Sequence, residues 1–250
     1  MICGIINHTE VFMTKTQFIQ ALSELGIQLN EQQISQFEQY MKLLQEWNEK
    51  MNLTAITEEE EVWEKHFYDS ILPFASLNPR SMCDVGSGAG FPGIPVKIAF
   101  PECHMTLLEP LQKRCRFLNE VKETLGLKDV QIVNARAEDY VKEAREKFEV
   151  VSARAVARLS ILLELCVPLL KPDGIMVALK GKNGEEELKN AQKAVHELGI
   201  RLIREEKTII EDDSTRINFY FKKMRPTPKK YPRAYGQIKK KPLEDAAWEK

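Results

Sequence analysis

The amino-acid sequence predicts an α/β protein: a mostly parallel sheet with an antiparallel edge strand, preceded by a small N-terminal helical extension. No strand pattern occurs before residue 81. From Ser81 onwards, short apolar runs alternate with longer amphipathic runs, a pattern that favours a parallel sheet with helices on both faces. Two further strand-like runs follow the last predicted helix with no helix between them, which predicts a closing hairpin and hence the antiparallel edge.

Three helical segments are predicted over residues 13–75, because apolar residues recur at helical spacing in each. The first ends at Gly26, and the second carries the stripe Ile34, Phe37 and Met41. A side chain able to cap a helix precedes each segment. The capping residues are Thr14, the pair Asn30 and Gln33, and the pair Thr57 and Glu60.

The sheet region is predicted element by element from its apolar runs. Buried strands are expected at 82–85, 105–108, 130–133, 150–152 and 175–179, and helices near 93–100, 111–125, 137–146, 158–170 and 185–198. The final hairpin is expected near 200–210 and 216–222. Four of the twelve prolines follow Met224, which predicts an extended arm there.

These patterns divide the chain into four segments. Residues 13–80 form the helical unit, 81–224 the sheet domain, and 225–250 a basic C-terminal arm. Residues 1–12 are expected to be a disordered extension or a start-site artefact, because Met13 is a plausible initiator.

Composition limits the class of protein. Hydrophobic residues make up 43% and charged residues 29% of the 250, close to the soluble globular average. We expect a cytoplasmic protein without a membrane span, since no apolar run approaches the roughly 20 residues that one requires. Five cysteines, an odd number with no CxxC pair, predict neither a disulfide framework nor a metal site. A monomer is expected because no apolar dimer face is evident.

Charge is distributed unevenly along the chain. Residues 222–250 contain ten lysines and arginines against three acidic residues, whereas the other 221 residues carry a net charge of −8. A basic tail on an acidic body is typical of a nucleic-acid-binding arm. A solvated tail without a partner is the alternative.

The most informative motif is a glycine-rich turn after the first predicted strand. Glycines there allow a ligand to approach the backbone, and the following helix offers free N–H donors. Gly88, Gly90 and Gly93 match the dinucleotide fingerprint, and Glu109 follows at the spacing of the ribose-binding acid. The motif alone therefore leaves a dinucleotide oxidoreductase open.

The flanks of the turn resemble another family. Asp84 at the strand end, followed by Gly86, Gly88 and Gly90, looks like the first motif of the Rossmann-like class I methyltransferases, which bind S-adenosylmethionine. That resemblance implies that the turn faces the methionine part of the cofactor. It also implies that Glu109 holds the ribose hydroxyls, a role that suits a carboxylate because it accepts two hydrogen bonds from a diol.

A more specific resemblance covers about residues 13 to 233. It rests on the stretches EWNEKMNLT (46–54), KHFYDS (65–70), QKR (112–114), ARAE (135–138), SARAVA (152–157), ALKG (178–181) and PKKYPR (228–233). Together they resemble the bacterial 16S rRNA guanine-N7 methyltransferase G family, also called glucose-inhibited division protein B. The resemblance implies methylation of N7 of a guanine in the 530 loop of 16S rRNA (rRNA position 527), and low-level streptomycin resistance on loss of activity. The chain departs from the family pattern after Arg233.

The family's cofactor contacts carry over to particular residues of this sequence. They fall on Gly86, Phe91, Ala137, Glu138 and Arg154, in addition to Asp84, Gly88, Gly90 and Glu109 of the glycine-rich motif. The implied partner is 16S rRNA within the small ribosomal subunit or one of its assembly intermediates. Basic side chains expected to contact this RNA are Lys113, Arg114, Arg158, Lys180, Lys229, Lys230 and Arg233.

No proton-transferring residue is predicted, because guanine N7 attacks with an in-plane lone pair and has no proton to lose. Cys166 lies within an apolar helical stripe and is interpreted as core rather than as a nucleophile. Pairing with an acid is the alternative for Arg158, and a structural hydrogen bond is an alternative for His66 and Asp69. Two functional alternatives stay open: a methyltransferase of this fold on another RNA, and a non-catalytic ribosome-assembly factor.

Overall fold

A single seven-stranded sheet organises the protein. The computed structural model describes residues 12–209 and 215–244, so the predictions for residues 1–11 and for the last six residues lie outside the described part. The strands are β1 (Ser81–Val85), β2 (His104–Leu108), β3 (Val130–Val133), β4 (Phe148–Arg154), β5 (Leu170–Lys180), β6 (Ile200–Ile209) and β7 (Thr215–Lys223). Their order across the sheet is β3-β2-β1-β4-β5-β7-β6.

The strand directions confirm the predicted fold class. Strands β1 to β5 pair in parallel, and β7 runs antiparallel to both of its neighbours, β5 and β6. The chain order reverses between β1 and β4, which creates a crevice at their carboxyl ends where open α/β sheets bind ligands. The sheet therefore places the glycine turn after β1 beside the end of β4.

The first two helices are as predicted, including their caps. They are α1 (Lys15–Glu24) and α2 (Glu31–Met51). The side chains of Thr14 and Asn30 each accept a hydrogen bond from the backbone N–H three residues later. The side chains of Gln17 and Gln33 in turn accept from the backbone N–H of the two capping residues. Both capping boxes satisfy N–H groups that a helix start leaves unpaired.

The third helical segment differs from its prediction. It consists of α3 (Glu59–Glu61), a π-helix (Val62–Tyr68), α4 (Asp69–Ile71) and a 3-10 turn (Leu72–Phe74). The predicted capping box of Thr57 and Glu60 is wrong, because the segment starts after Glu58, which makes no side-chain cap. The carbonyl of Thr57 instead accepts a hydrogen bond from Gln45. A π-helix is rare and occurs frequently at functional sites.

Of the remaining helices in the described residues, six connect strands and the last follows β7. They are α5 (Gly93–Ala99), α6 (Gln112–Thr124), α7 (Ala137–Ala144), α8 (Leu159–Cys166), α9 (Gly184–Asn190), α10 (Gln192–Leu198) and α11 (Tyr235–Lys240). Two hydrophobic clusters form the core. One joins the sheet to α1, α2, α5 and α6, with fully buried Phe18 and Phe67 at its centre; the other joins it to α7, α8 and α10. Each such buried side chain contributes about 1.5–3 kcal/mol.

The prediction of an extended C-terminal arm is wrong for the described residues. Tyr231, Ile238 and Leu243 are buried in the second cluster, and residues 235–240 form α11. Arg233 makes two side-chain hydrogen bonds to Glu164, a carboxylate with no exposed surface. Apolar anchors spaced along a proline-rich basic segment gave too weak a pattern to predict this packing.

Other predictions concern the cysteines, a membrane-spanning helix and a metal site. The four described cysteines are buried and free, and Cys166 lies in the core as predicted. Among residues 12–209 and 215–244, no helix is long and apolar enough to cross a membrane. The same residues contain no cluster of three or more side chains placed to hold a metal ion.

Candidate functional site

The glycine turn after β1 is held against the end of β2. Gly86 and Ser87 donate their N–H groups to the carbonyl of Leu108, and Gly88 donates to Glu109 Oε2 at 2.9 Å. Gly86 has φ +72°, and a Cβ there would lie 2.6 Å from Val156 Cγ2. A side chain at this position would be both strained and crowded, so the tight turn requires glycine.

Glu109 directly follows β2, and its side chain points at the turn. Its side chain is almost wholly buried; Oε2 accepts from Gly88, and Oε1 accepts from the N–H of Leu111 at 2.8 Å. Arg114 Nη1 lies 4.0 Å from Oε2. A carboxylate offers about four acceptor positions, so two remain for the hydroxyls of a ligand.

Asp84 lies behind the turn and is fully buried. Its Oδ2 accepts from the N–H of Gly93 at 3.1 Å, and its Oδ1 accepts from the hydroxyl of Ser152 at 2.9 Å. Burial raises the pKa of Asp84 to about 6 despite these donors. The carboxyl therefore joins β1, β4 and the start of α5, and it shapes the site through the backbone.

Ala137 and Glu138 begin α7 after the short loop that follows β3, at the same edge of the sheet. Ala137 is buried and Glu138 is partly exposed. No side chain caps this helix start, and the N–H groups of Ala137 and Glu138 have no hydrogen-bond partner among the described residues. This end of α7 offers backbone donors and one carboxylate to a ligand lying over β2 and β1.

Arg154, at the end of β4, lies beside the turn and contacts the π-helix. Its guanidinium is 5.0 Å from the ring centre of Phe91. It donates to the carbonyl of Lys65 and to Asp69 Oδ2, each at 3.4 Å. Arg216 of β7 also reaches Asp69 Oδ2, at 3.5 Å. One carboxylate, whose side chain is 12% exposed, therefore pairs with two arginines.

His66 connects this cluster to the turn. Its ring stacks on Phe91 with centroids 4.3 Å apart, Nε2 lies 2.7 Å from Thr54 Oγ1, and Nδ1 lies 3.4 Å from Arg154. Because a guanidinium only donates, Nδ1 accepts and Nε2 carries the proton. Burial, followed by the charge of Arg154, lowers the pKa of His66 to about 3, so the ring is neutral.

A cavity of about 450 Å³ opens at the carboxyl ends of β4 and β5. Its wall includes His66, Asp69, Arg154, Lys180, Arg216 and Asn218. Sequence reasoning missed Arg216 and Asn218. In the sequence these two polar residues alternate with the apolar Ile217 and Phe219 of β7, which indicates that they share one face of the strand. The pattern of one strand does not show whether that face borders a cavity.

Most of the predicted RNA-contacting side chains have partners within the chain. Lys180 pairs with Glu187 at 2.6 Å, Arg158 with Glu244, Arg233 with Glu164 and Lys230 with Glu197. The alternative reading of Arg158 as an ion-pair partner is confirmed. Lys113 and Lys229 are exposed, and Lys113 and Arg114 line a separate depression of about 430 Å³ beside the end of α2.

Comparison with known proteins points to one family. The model of rRNA small subunit methyltransferase G matches residues 33–219. A ribosomal RNA small subunit methyltransferase G of Lysinibacillus sphaericus is 50% identical over 93% of this chain and all of its own length. Another from Staphylococcus aureus is 51% identical over 92% of this chain and 99% of its own.

A solved structure supports the same fold. A Bacillus cereus O-methyltransferase, crystallised in complex with SAH, superposes with a TM-score of 0.58. The match covers 84% of this chain and 100% of the other at 14% identity. At that identity the likeness establishes the fold alone.

Proposed function

The chain belongs to the rRNA small subunit methyltransferase G family, and we propose that it transfers the methyl group of S-adenosylmethionine to N7 of a guanine in the 530 loop of 16S rRNA. Methylation of rRNA is the activity of the family. One observation carries the finer proposal: the glycine turn and the cavity share a wall, since Arg154 contacts Phe91 of the turn and also lines the cavity. The proposed cofactor site at the turn and the proposed base site in the cavity are therefore adjacent.

The turn fits the proposed cofactor. Gly86 has no room for a side chain because Val156 lies against it, so the turn stays tight and its backbone stays bonded to the end of β2. Glu109 keeps two acceptor positions for a ribose diol, and the N–H groups at the start of α7 suit the adenine edge beside Ala137 and Glu138. Phe91 lies between the turn and the cavity and packs against His66 and Arg154, which line the cavity.

Bound S-adenosylmethionine supplies a methyl group on a positively charged sulfur. The chain's contribution is to hold the guanine so that N7 faces that methyl in line, which is a task of orientation. Phe91, His66 and Arg154 form the wall where the two ligands meet. Their mutual packing fixes that wall before either ligand arrives.

The side chains at this wall are suited to a reaction without proton transfer. N7 has a lone pair and no proton, so no general base is needed. His66 is neutral with a pKa of about 3, and its nitrogens are engaged by Thr54 and Arg154. Because both of its nitrogens are bonded in this way, His66 maintains the shape of the site and transfers no proton during the reaction.

The proposed substrate is 16S rRNA in the small ribosomal subunit or in an assembly intermediate. Loss of the methyl group near the decoding site is proposed to give low-level streptomycin resistance. The alternatives are another RNA and a non-catalytic assembly role, and the intact glycine turn with Glu109 favours catalysis over the latter.

Methyl-labelled S-adenosylmethionine, incubated with the protein and with small subunits from cells lacking this modification, tests the proposal. We expect label at a single guanine N7 in the 530 loop, located by mapping the modified nucleotide. Naked 16S rRNA and assembly intermediates serve as parallel substrates. Label at another nucleotide, or none on any of the three substrates, would overturn the proposed position.

A further inference from the structure

The cavity beside the turn has polar groups in its wall that are buried and incompletely paired. Asn218 is only 4% exposed, lines the cavity and makes no side-chain hydrogen bond within the described part of the chain. The Asn218 amide is not among the polar atoms sealed inside the protein, so its donor and its acceptor are open to the cavity. A polar ligand in the cavity would provide its partner.

Asp69 faces the same cavity with one oxygen engaged. Oδ2 is shared by Arg154 at 3.4 Å and Arg216 at 3.5 Å, whereas Oδ1 has no hydrogen-bond partner among the described residues. Burial raises the pKa of this carboxyl, and the charges of the two arginines oppose that rise. The two arginines favour the ionised form, in which Asp69 offers the cavity a hydrogen-bond acceptor.

We propose that this cavity binds the unstacked target guanine and that Asp69 and Asn218 recognise its Watson–Crick edge. Asp69 accepts from N1–H and the 2-amino group, and the amide of Asn218 donates to O6. This assignment rests on the proposed function and extends it to the residues that select the base. The volume of about 450 Å³ lies within the range of small-molecule sites.

The donors and acceptors of the cavity favour guanine over adenine. Guanine presents two donors beside one acceptor, which complements a carboxylate and an amide. Adenine has an unprotonated N1, whose lone pair would face the Asp69 carboxylate. Guanine held by its Watson–Crick edge leaves N7, on the opposite edge, free to meet the methyl group. Enzymes that modify bases generally extrude them and recognise this edge.

Inosine at the target position provides the sharpest test, because it lacks only the 2-amino group of guanine and keeps N7 and O6. Small subunits are reconstituted with guanine or inosine at the labelled position, and kcat/KM for methyl transfer is measured on both. We expect wild-type protein to prefer guanine on the order of tenfold to a hundredfold, since inosine keeps N1–H but takes the second of its two donors away from the Asp69 carboxylate.

Two variants distinguish the proposed roles. Asp69→Asn is expected to bring the guanine-to-inosine ratio close to one. Asn218→Ala is expected to lower transfer to both bases by the same factor, because both carry O6. The matched control is Asp173→Asn, near the far end of β5 and 80% exposed, which should leave both values unchanged. S-adenosylhomocysteine affinity and the melting temperature of each variant report whether the fold is retained.

The outcomes separate this inference from the proposed function. If wild-type protein labels guanine N7 but accepts inosine equally well, the pocket assignment is wrong while the function stands. An Asp69→Asn protein that binds cofactor normally and keeps the wild-type ratio would also overturn it. If no guanine N7 is labelled at all, the proposed function fails first. Should Asp69→Asn not fold, the wild-type ratio and Asn218→Ala still decide the question.

Discussion

His66 shows how a single side chain can be set by its surroundings. It is 7% exposed, stacked on Phe91, and placed between the hydroxyl of Thr54 and the guanidinium of Arg154. Burial penalises the protonated ring, and the nearby positive charges of Arg154 and Arg216 add to that penalty. The folded protein therefore holds a neutral imidazole at pH values where a free histidine is protonated.

This predicts an acid-dependent loss of stability. The pKa of His66 is about 3 in the folded state and about 6.5 when unfolded. Below pH 6.5 the unfolded chain binds a proton that the folded protein excludes, so His66 destabilises the fold progressively as the pH falls. Replacing His66 by glutamine should remove about 2 kcal/mol of the stability lost between pH 7 and pH 5.

Urea unfolding of both proteins at pH 7 and pH 5 measures this difference. The free energy of unfolding of His66→Gln need not exceed that of wild type at either pH, because only the change between the two pH values is compared. An identical change in the two proteins would show that His66 is protonated normally in the folded state. Asp84, whose raised pKa has the opposite effect, is present in both and cancels.

At the residue scale, local sequence patterns predicted the residues of the glycine turn but not all of the residues that line the cavity. Gly86, Gly88 and Glu109 were predictable because they lie within one strand–turn–helix unit and one neighbouring strand end. Asn218 and Arg216 come from β7, which enters the sheet beside β5 only through long-range pairing. No spacing within the sequence places a residue of the last strand opposite His66 and Asp69 of the third helical segment.

At the scale of elements, the C-terminal segment is a structural part of the sheet domain. Its chain runs from β7 across α8, where Arg233 reaches Glu164, and α11 packs on α8. Tyr235 lies against Arg136, which precedes α7, and Glu244 pairs with Arg158, which follows β4. The segment thus contacts two of the loops that border the glycine turn.

The ion pair of Arg233 and Glu164 should therefore matter for stability. Arg233→Ala leaves a fully buried carboxylate without its partner, which is expected to cost about 3 kcal/mol in the free energy of unfolding. Adding Glu164→Gln removes the uncompensated charge and should recover about 1 kcal/mol or more.

Urea denaturation of the single and double variants provides the measurement. Lys229→Ala, in the same segment but exposed, is the control and should stay within about 0.5 kcal/mol of wild type. If Arg233→Ala unfolds like this control, the ion pair seen in the structure does not contribute to stability.

At the scale of the whole molecule, the positive tail is partly neutralised on folding. Acidic side chains of the body pair with its basic residues Lys222, Lys223, Lys230 and Arg233. Composition predicted the charge asymmetry, but it could not show which of these charges the acidic body would neutralise. The exposed basic residues of the tail without an ion pair among the described residues are Arg225, which donates to the carbonyl of His196, and Lys229, Lys239, Lys240 and Lys241.

The last three of these lysines form a group of exposed positive charges on α11 and directly after it. They lie between Tyr235 and Glu244, whose contacts with Arg136 and Arg158 hold this stretch at the carboxyl edge of the sheet, where the turn and the cavity open. Removing the whole segment would expose Tyr231 and Ile238 and confuse folding with binding. Replacing the three lysines together by glutamine changes charge and leaves those anchors in place.

We expect the triple lysine variant to bind small-subunit rRNA more weakly and with a smaller salt dependence. Each phosphate that a lysine no longer neutralises lowers the slope of log affinity against log salt by about 0.7–0.9, so the slope should fall by about 2. Binding is measured across a salt series, with S-adenosylhomocysteine affinity as the check on the fold. Lys128→Gln with Lys147→Gln, exposed at the amino ends of β3 and β4, is the matched control. Equal slopes for the variant and this control would show that the RNA approaches another face. A slope reduced only in the variant would place the phosphate backbone along the edge where the base enters.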